Sequence, residues 1–149
     1  MTEGNDCEPS AAPGTPFAWS DRFLVGVSEI DGQHRRLIEM VSAFYAALDG
    51  RRPAKQALGE LLKGLVEYTR YHFATEERLM ALARFPGSQE HRAQHADFTR
   101  RVGDLMDRFS RGRLVLSIEA TTFLREWLTD HILVSDKALG LHLVSHGLS

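Results

Sequence analysis

The chain has 149 residues, of which 43% are hydrophobic and 26% charged, and its formal net charge is −2. That is enough for one domain with a proper core and too little for two, and the near-balanced charge gives no electrostatic case for nucleic acid or an anionic membrane. No apolar run approaches the roughly twenty residues a transmembrane helix needs, so no membrane insertion is expected. Cys7 is the only cysteine, which rules out an intramolecular disulfide and fits a reducing compartment. The opening Met1-Thr2-Glu3-Gly4-Asn5-Asp6 has neither the basic nor the apolar stretch of a secretory signal, so the expected location is cytoplasmic.

Residues 1–18, rich in Pro, Gly, Ala and small polar side chains, read as a disordered leader. From Phe17 and Trp19 the composition turns apolar, and Phe23-Leu24-Val25-Gly26-Val27 reads as an extended N-terminal arm packed on the domain. Ser28-Glu29-Ile30-Asp31 matches the S-x-x-D pattern of a helix start. Leu37, Ile38, Val41, Phe44, Tyr45 and Leu48 then recur at helical steps with His34 on the same stripe, up to a stop at Asp49-Gly50. Pro53 opens a second helix whose stripe runs through Leu58, Leu61, Leu62, Leu65, Tyr68, His72, Glu76, Leu79 and Met80. Gly59 and Gly64 weaken it by about 1 kcal/mol each relative to Ala, and Phe85-Pro86-Gly87 ends it. Ser88 is placed to cap a third helix carrying His91, His95, Phe98, Val102, Leu105 and Phe109 on one face, and Ser110 to Arg113 form the next turn. Ser117 is placed to cap a fourth, with Glu119 near its positive end and Thr121, Leu124, Trp127, Leu128 and His131 facing inward. Four helices with short connections predict an all-α, up-down-up-down bundle over residues 19–140, followed by a tail at 141–149.

Two pairs at four-residue spacing, His72 with Glu76 and His91 with His95, each point from one helix face toward a common point. His34 precedes them and His131 with Asp136 follows. Five imidazoles and two carboxylates from four segments can hold two metal ions inside a bundle. Two six-coordinate ions of the iron type have about twelve positions between them. Five imidazoles, two bridging carboxylates and one bridging solvent oxygen fill about eleven, leaving one open for a small diatomic ligand. Carboxylate-rich di-iron sites, built on four Glu and two Glu-x-x-His motifs, suit oxidative chemistry instead. Ligand softness also admits manganese or zinc. Asp136 fits the geometry least well: five residues after His131 is about 140° around a regular helix, so both reach the centre only if the helix ends or distorts there.

These residues resemble those of the hemerythrins, most closely the bacterial single-domain ones. The resemblance is carried by Trp19, by Val25-Gly26-Val27-Ser28-Glu29-Ile30-Asp31-Gly32-Gln33-His34, and by Tyr68-Thr69-Arg70-Tyr71-His72-Phe73-Ala74-Thr75-Glu76-Glu77. It continues through Met80, Phe85-Pro86, His91 and His95, and Trp127-Leu128-Thr129-Asp130-His131-Ile132 with Asp136-Lys137, covering roughly residues 17–140. It implies that His91, His95 and His131 hold one iron and that His34 and His72 hold the other, which keeps the vacancy. Glu76 and Asp136 would bridge the two irons, together with an oxo or hydroxo group. It places Trp127, Leu128 and Ile132 in the apolar wall of an oxygen pocket. Two positions depart from the family pattern: Leu139 and Phe85 stand where the family often has tyrosine, which bears on hydrogen bonding around the ligands.

The expected function is therefore reversible dioxygen binding without substrate turnover, for oxygen delivery, storage or sensing. Nitric oxide and azide-like anions are further candidate ligands. A di-iron oxidase or peroxidase, or a protein handling nitric oxide or iron, is the alternative. His142 and His146 repeat the four-residue spacing beyond the bundle, where an ordinary amphipathic turn accounts for them. Met40, Met80 and Met106 read as core fillers, and Arg108, Arg111 and Arg113 as a solvated loop.

Overall fold

Helix α1 (Ser28–Ala47) begins at the S-x-x-D motif, although its serine makes no capping bond. Instead Asp31 reaches back further, accepting the Val25 N–H at 2.7 Å and the Gly26 N–H at 3.3 Å, and so ties the arm to the helix. The structure is a computed structural model and describes residues 17–48, 53–113 and 118–149. The expected leader with Cys7 up to Pro16, the stop at Asp49-Gly50, the Ser117 cap and the Glu119 side chain lie outside the described residues. The arm is irregular apart from one 3-10 turn, Asp21–Phe23, and it buries Phe17, Phe23, Val25 and Val27.

Helix α2 (Ala54–Leu82) follows Pro53. It closes in a Schellman motif in which Phe85 N–H bonds to the Met80 carbonyl at 3.0 Å and Arg84 N–H to Ala81 at 3.4 Å. Arg84 takes the left-handed conformation there (φ 52°), which costs about 1–2 kcal/mol in a residue other than glycine. Helix α3 (Ser88–Ser110) starts one residue too early for Ser88 to be its cap: Gly87 holds that position, and the Ser88 hydroxyl donates back to the Phe85 carbonyl at 2.6 Å. Gly112 (φ 67°) ends α3 in a second Schellman motif, with Arg113 N–H bonded to the Arg108 carbonyl at 2.8 Å. Helix α4 (Ile118–Asp130) passes through a π-helical turn, His131–Asp136, into α5 (Lys137–Ser145), so the two form one interrupted fourth helix. The architecture is an all-α four-helix bundle, with no strand among the described residues.

The two glycines expected to weaken α2 make room for neighbours. A Cβ on Gly59 would lie 2.8 Å from the Phe109 ring and one on Gly64 2.6 Å from the Met40 methyl. Gly140 is more tightly constrained, because a Cβ there would collide with the backbone carbonyl of Val25. Gly140→Ala is therefore expected to destabilise the fold by about 1–3 kcal/mol, the usual cost of overpacking, despite alanine's better helix propensity. Denaturant unfolding checks this; equal or greater stability would show that the arm does not seat on α5.

The apolar residues form two clusters. The larger holds Leu37, Ile38 and Val41 of α1, Leu58 to Leu65 of α2, Phe98 and Val102 of α3, and Leu124, Leu128 and Ile132 of the fourth helix. The smaller joins Val25, Val27 and Ile30 to Leu79, Met80, Ala83, Leu139 and Leu143. Leu139, one of the two departures, is thus buried as an apolar residue in this cluster. Helix α5 runs past residue 140 to Ser145, and Leu143 within it is fully buried. Along α1, α2 and the fourth helix a polar step separates the clusters: His34 between Ile30 and Leu37, His72 and Glu76 before Leu79, Asp136 between Ile132 and Leu139. The candidate ligands form a buried polar layer between two apolar ones.

Candidate metal centre

All seven predicted residues meet in that layer, each no more than 5% exposed. Helix periodicity delivers five of them. His34 comes from α1, His72 and Glu76 from successive turns of α2, and His91 and His95 from successive turns of α3. The π-helical turn delivers the remaining two. Its hydrogen bonds span five residues rather than four, so the five-residue step from His131 to Asp136 makes about one turn and both side chains point inward. The offset that a regular helix forbids is thus absorbed by a local widening.

The two carboxylates divide their oxygens between two groups of imidazoles. Glu76 Oε1 lies 2.5 Å from His72 Nε2 and 3.8 Å from His34 Nε2, while its Oε2 lies 3.0 Å from His91 Nε2. Asp136 Oδ2 lies 2.7 Å from His34 Nε2, and its Oδ1 lies 3.1 and 3.2 Å from His91 and His131 Nε2. His95 Nε2 faces His131 Nε2 at 3.2 Å. Two overlapping donor sets result: His34, His72, Glu76 and Asp136, and His91, His95, His131, Glu76 and Asp136, each with its donor atoms within 4.8 Å of one another.

The residues fit a pair of metal ions on their own account. His34 Nδ1 and Nε2, Glu76 Oε1 and both Asp136 oxygens are buried without a well-directed hydrogen bond, the short contacts just described being poorly aligned for one. Unsatisfied buried polar atoms cost free energy, so five in one layer call for cations. In the metal-free chain protons take part of that role. Burial opposes charge on His34 and His91, yet the Asp136 and Glu76 carboxylates against them raise both to about 9. Burial would also raise the carboxyls, but the imidazoles around them hold Glu76 at about 2 and Asp136 well below the usual carboxylate range. Burial pushes His95 down to about 3, so it stays neutral.

A second ring of residues holds the imidazoles, and the sequence reading did not single these out. His72 Nδ1–H donates to Gln33 Oε1 at 2.7 Å, and Gln33 Nε2 donates to Thr75 at 3.1 Å. His95 Nδ1–H donates to Glu77 at 3.2 Å, and His131 Nδ1–H to Gln94 at 3.0 Å. Each acceptor leaves an Nε2 lone pair facing the centre. Their one signal in the sequence is position, since Gln33, Gln94 and Glu77 each adjoin a candidate ligand. The Phe73 ring stacks on His95 (3.8 Å between centroids, 8° between planes) and touches His72 and His131. Phe85, the other departure, lies edge-on to His91 at 6.4 Å.

A family description, the hemerythrin HHE cation binding domain, matches residues 25–140. The chain belongs to the hemerythrin family. It is 38% identical over 130 residues to the bacteriohemerythrin of Stenotrophomonas maltophilia, covering 87% of this chain and 83% of that one. It is 30% identical over 118 residues to the myohemerythrin of Riftia pachyptila, covering 79% of this chain and 86% of that one. A crystal structure of wild-type hemerythrin superposes with a TM-score of 0.74 at 28% identity, over 85% of this chain and 96% of the other. The hemerythrin match ends at residue 140, and His142 and His146 join neither donor set. His142 Nε2–H caps the end of α2 through the Ala83 carbonyl at 2.8 Å, and the His146 ring bonds the His142 carbonyl.

Proposed function

We propose that this chain binds dioxygen reversibly at a pair of iron ions and turns over no substrate. The observation that carries this reading is the division of Glu76 and Asp136, one oxygen of each toward each imidazole group. His91, His95 and His131 would hold one iron and His34 and His72 the other, with Glu76 and Asp136 common to both sets, so the second set offers the fewer protein donors. A ferrous pair held by these residues would supply the two electrons that reversible capture of dioxygen requires. Five imidazoles among seven donors favour this over oxidase chemistry, which draws on carboxylate-rich sets. The name bacteriohemerythrin and the myohemerythrin relative support the same reading. The use we propose is delivery or storage of oxygen, in the cytoplasm. No described helix is long and apolar enough to cross a membrane.

The chain's own residues keep water from the site. Leu128 and Ile132, 4% and 0% exposed, belong to the larger apolar cluster, and Trp127 stacks on the His131 ring at 4.5 Å. We assign these three to the apolar wall of the oxygen pocket, where low polarity disfavours charge separation and entry of anions. Leu128→Ala is expected to speed decay of the oxygenated protein to its inactive oxidised form. It should also cost about 2–5 kcal/mol of stability, so decay is followed well below the melting temperature, with and without azide. Decay no faster than wild type would remove Leu128 from the wall.

The test of the function is optical. The iron-loaded, reduced protein should gain a charge-transfer band in air and lose it under vacuum, through repeated cycles. A band that bleaches within seconds and releases peroxide would instead make the protein an oxidase.

A further inference from the structure

Gln94 sits on α3 between His91 and His95, and its side chain reaches the fourth helix. Its Oε1 accepts two hydrogen bonds, from His131 Nδ1–H at 3.0 Å and from the Ser135 hydroxyl at 2.6 Å. The donors are the first and fifth residues of the π-helical turn His131–Asp136. An amide oxygen has two lone pairs, and here each grips one end of that turn. Such turns are rare and depart from the regular helical ladder, so one that persists needs support from outside the helix.

We propose that Gln94 is a positioning residue for the metal centre, acting on both of the fourth helix's ligands at once. Through Nδ1 it holds His131 in the tautomer whose Nε2 presents a lone pair to the three-histidine group. Through Ser135 it holds the turn that brings Asp136 in beside His131. This rests on the di-iron reading above. Gln33 supplies the comparison. It sets the tautomer of His72 in the same way, but its other bond goes to Thr75 on regular α2, with no widened turn to hold.

The experiment loads the full chain with ferrous iron without air and measures each ion's affinity by chelator competition. In parallel, NMR of the zinc-loaded chain follows exchange of the His131 Nδ1 proton. Gln94→Ala is expected to weaken the ion held by His91, His95 and His131 by about 10–100-fold, as loss of such partners does, to weaken the other ion less, through the shared Asp136, and to let the proton exchange with water. Gln94→Glu keeps an oxygen acceptor and restores both. Ser135→Ala keeps the proton slow but lowers affinity, because only the grip on the turn is lost. Gln33→Ala weakens the other ion and leaves the His131 proton slow. If Gln94→Ala does not fold, Gln94→Glu and Ser135→Ala decide: a fast proton in the first or unchanged affinity in the second overturns the assignment. Two irons in wild type with unchanged affinity in Gln94→Ala overturns it alone, whereas fewer than two irons in wild type overturns the di-iron reading as well.

Discussion

Glu76→Ala is expected to empty the centre of both irons. Glu76 faces His34 and His72 with one oxygen and His91 with the other, so the truncation takes a ligand from each donor set. It also leaves His34 and His91, both raised to about 9 in the metal-free chain, with Asp136 as their remaining carboxylate. Breaking a buried charge network by removing one partner costs about 3–5 kcal/mol. The metal-free variant should therefore melt well below the metal-free parent. Replacing His34 or His72 is milder: it takes one ligand from one set, so oxygen binding should fail while some iron stays. Iron analysis of the purified variants checks the contrast. Two irons retained in Glu76→Ala would show that the carboxylate does not bridge.

Removing iron from the unaltered chain should have the second largest effect. The ligands tie four helical segments together, so the free energy of metal binding is also stability of the fold. One site at free metal a thousand times its Kd contributes about 4 kcal/mol. For a chain of this length each kcal/mol moves the melting temperature by about 2–4 °C. A fall of about 10 °C or more is expected on chelation, and equal melting temperatures would contradict the account. The pH dependence gives a separate signature. His34 and His91 titrate near 6.5 when unfolded and at about 9 in the folded metal-free chain. Their contribution is complete below pH 6.5 and is lost as pH rises through 9, so the metal-free melting temperature should decline across that window. His95, held at about 3, adds stability only as pH rises toward 6.5 and does not mask the decline. Glu76 and Asp136, both depressed, add stability that is lost only on acidification. Iron binds neutral imidazoles, so the loaded protein should lack the alkaline decline and iron affinity should rise toward pH 9.

How much of this was legible in the sequence differs from element to element. Stripes at helical spacing carried His34, His72, Glu76, His91 and His95, because a buried polar residue on an apolar face stands out against its neighbours. By periodicity Asp136 was legible only as a conflict with regular helix geometry, and it was the family resemblance that named it a ligand. A π-helical turn resolves the conflict, and periodicity of 3.6 contains no term for that turn. Gln33, Gln94 and Glu77 were illegible as partners of the imidazoles. A glutamine beside a ligand on a helix reads as one more polar surface residue until the facing helix is in place. Ser88 shows the limit at helix ends, where a shift of one residue turned an expected cap into a donor to Phe85. Gly140 carried no signal of its own in the sequence, because its reason is the Val25 carbonyl of the arm more than a hundred positions earlier.

If two irons share Glu76 and Asp136 as proposed, they should take up one dioxygen and give it back. The most direct measurement is oxygen uptake by the reduced protein of known iron content, followed by evacuation and a peroxide assay. The expected result is two irons per chain, one dioxygen bound per iron pair, recovery of that oxygen as gas, and no peroxide. Uptake that cannot be reversed, or one iron per chain, would contradict it.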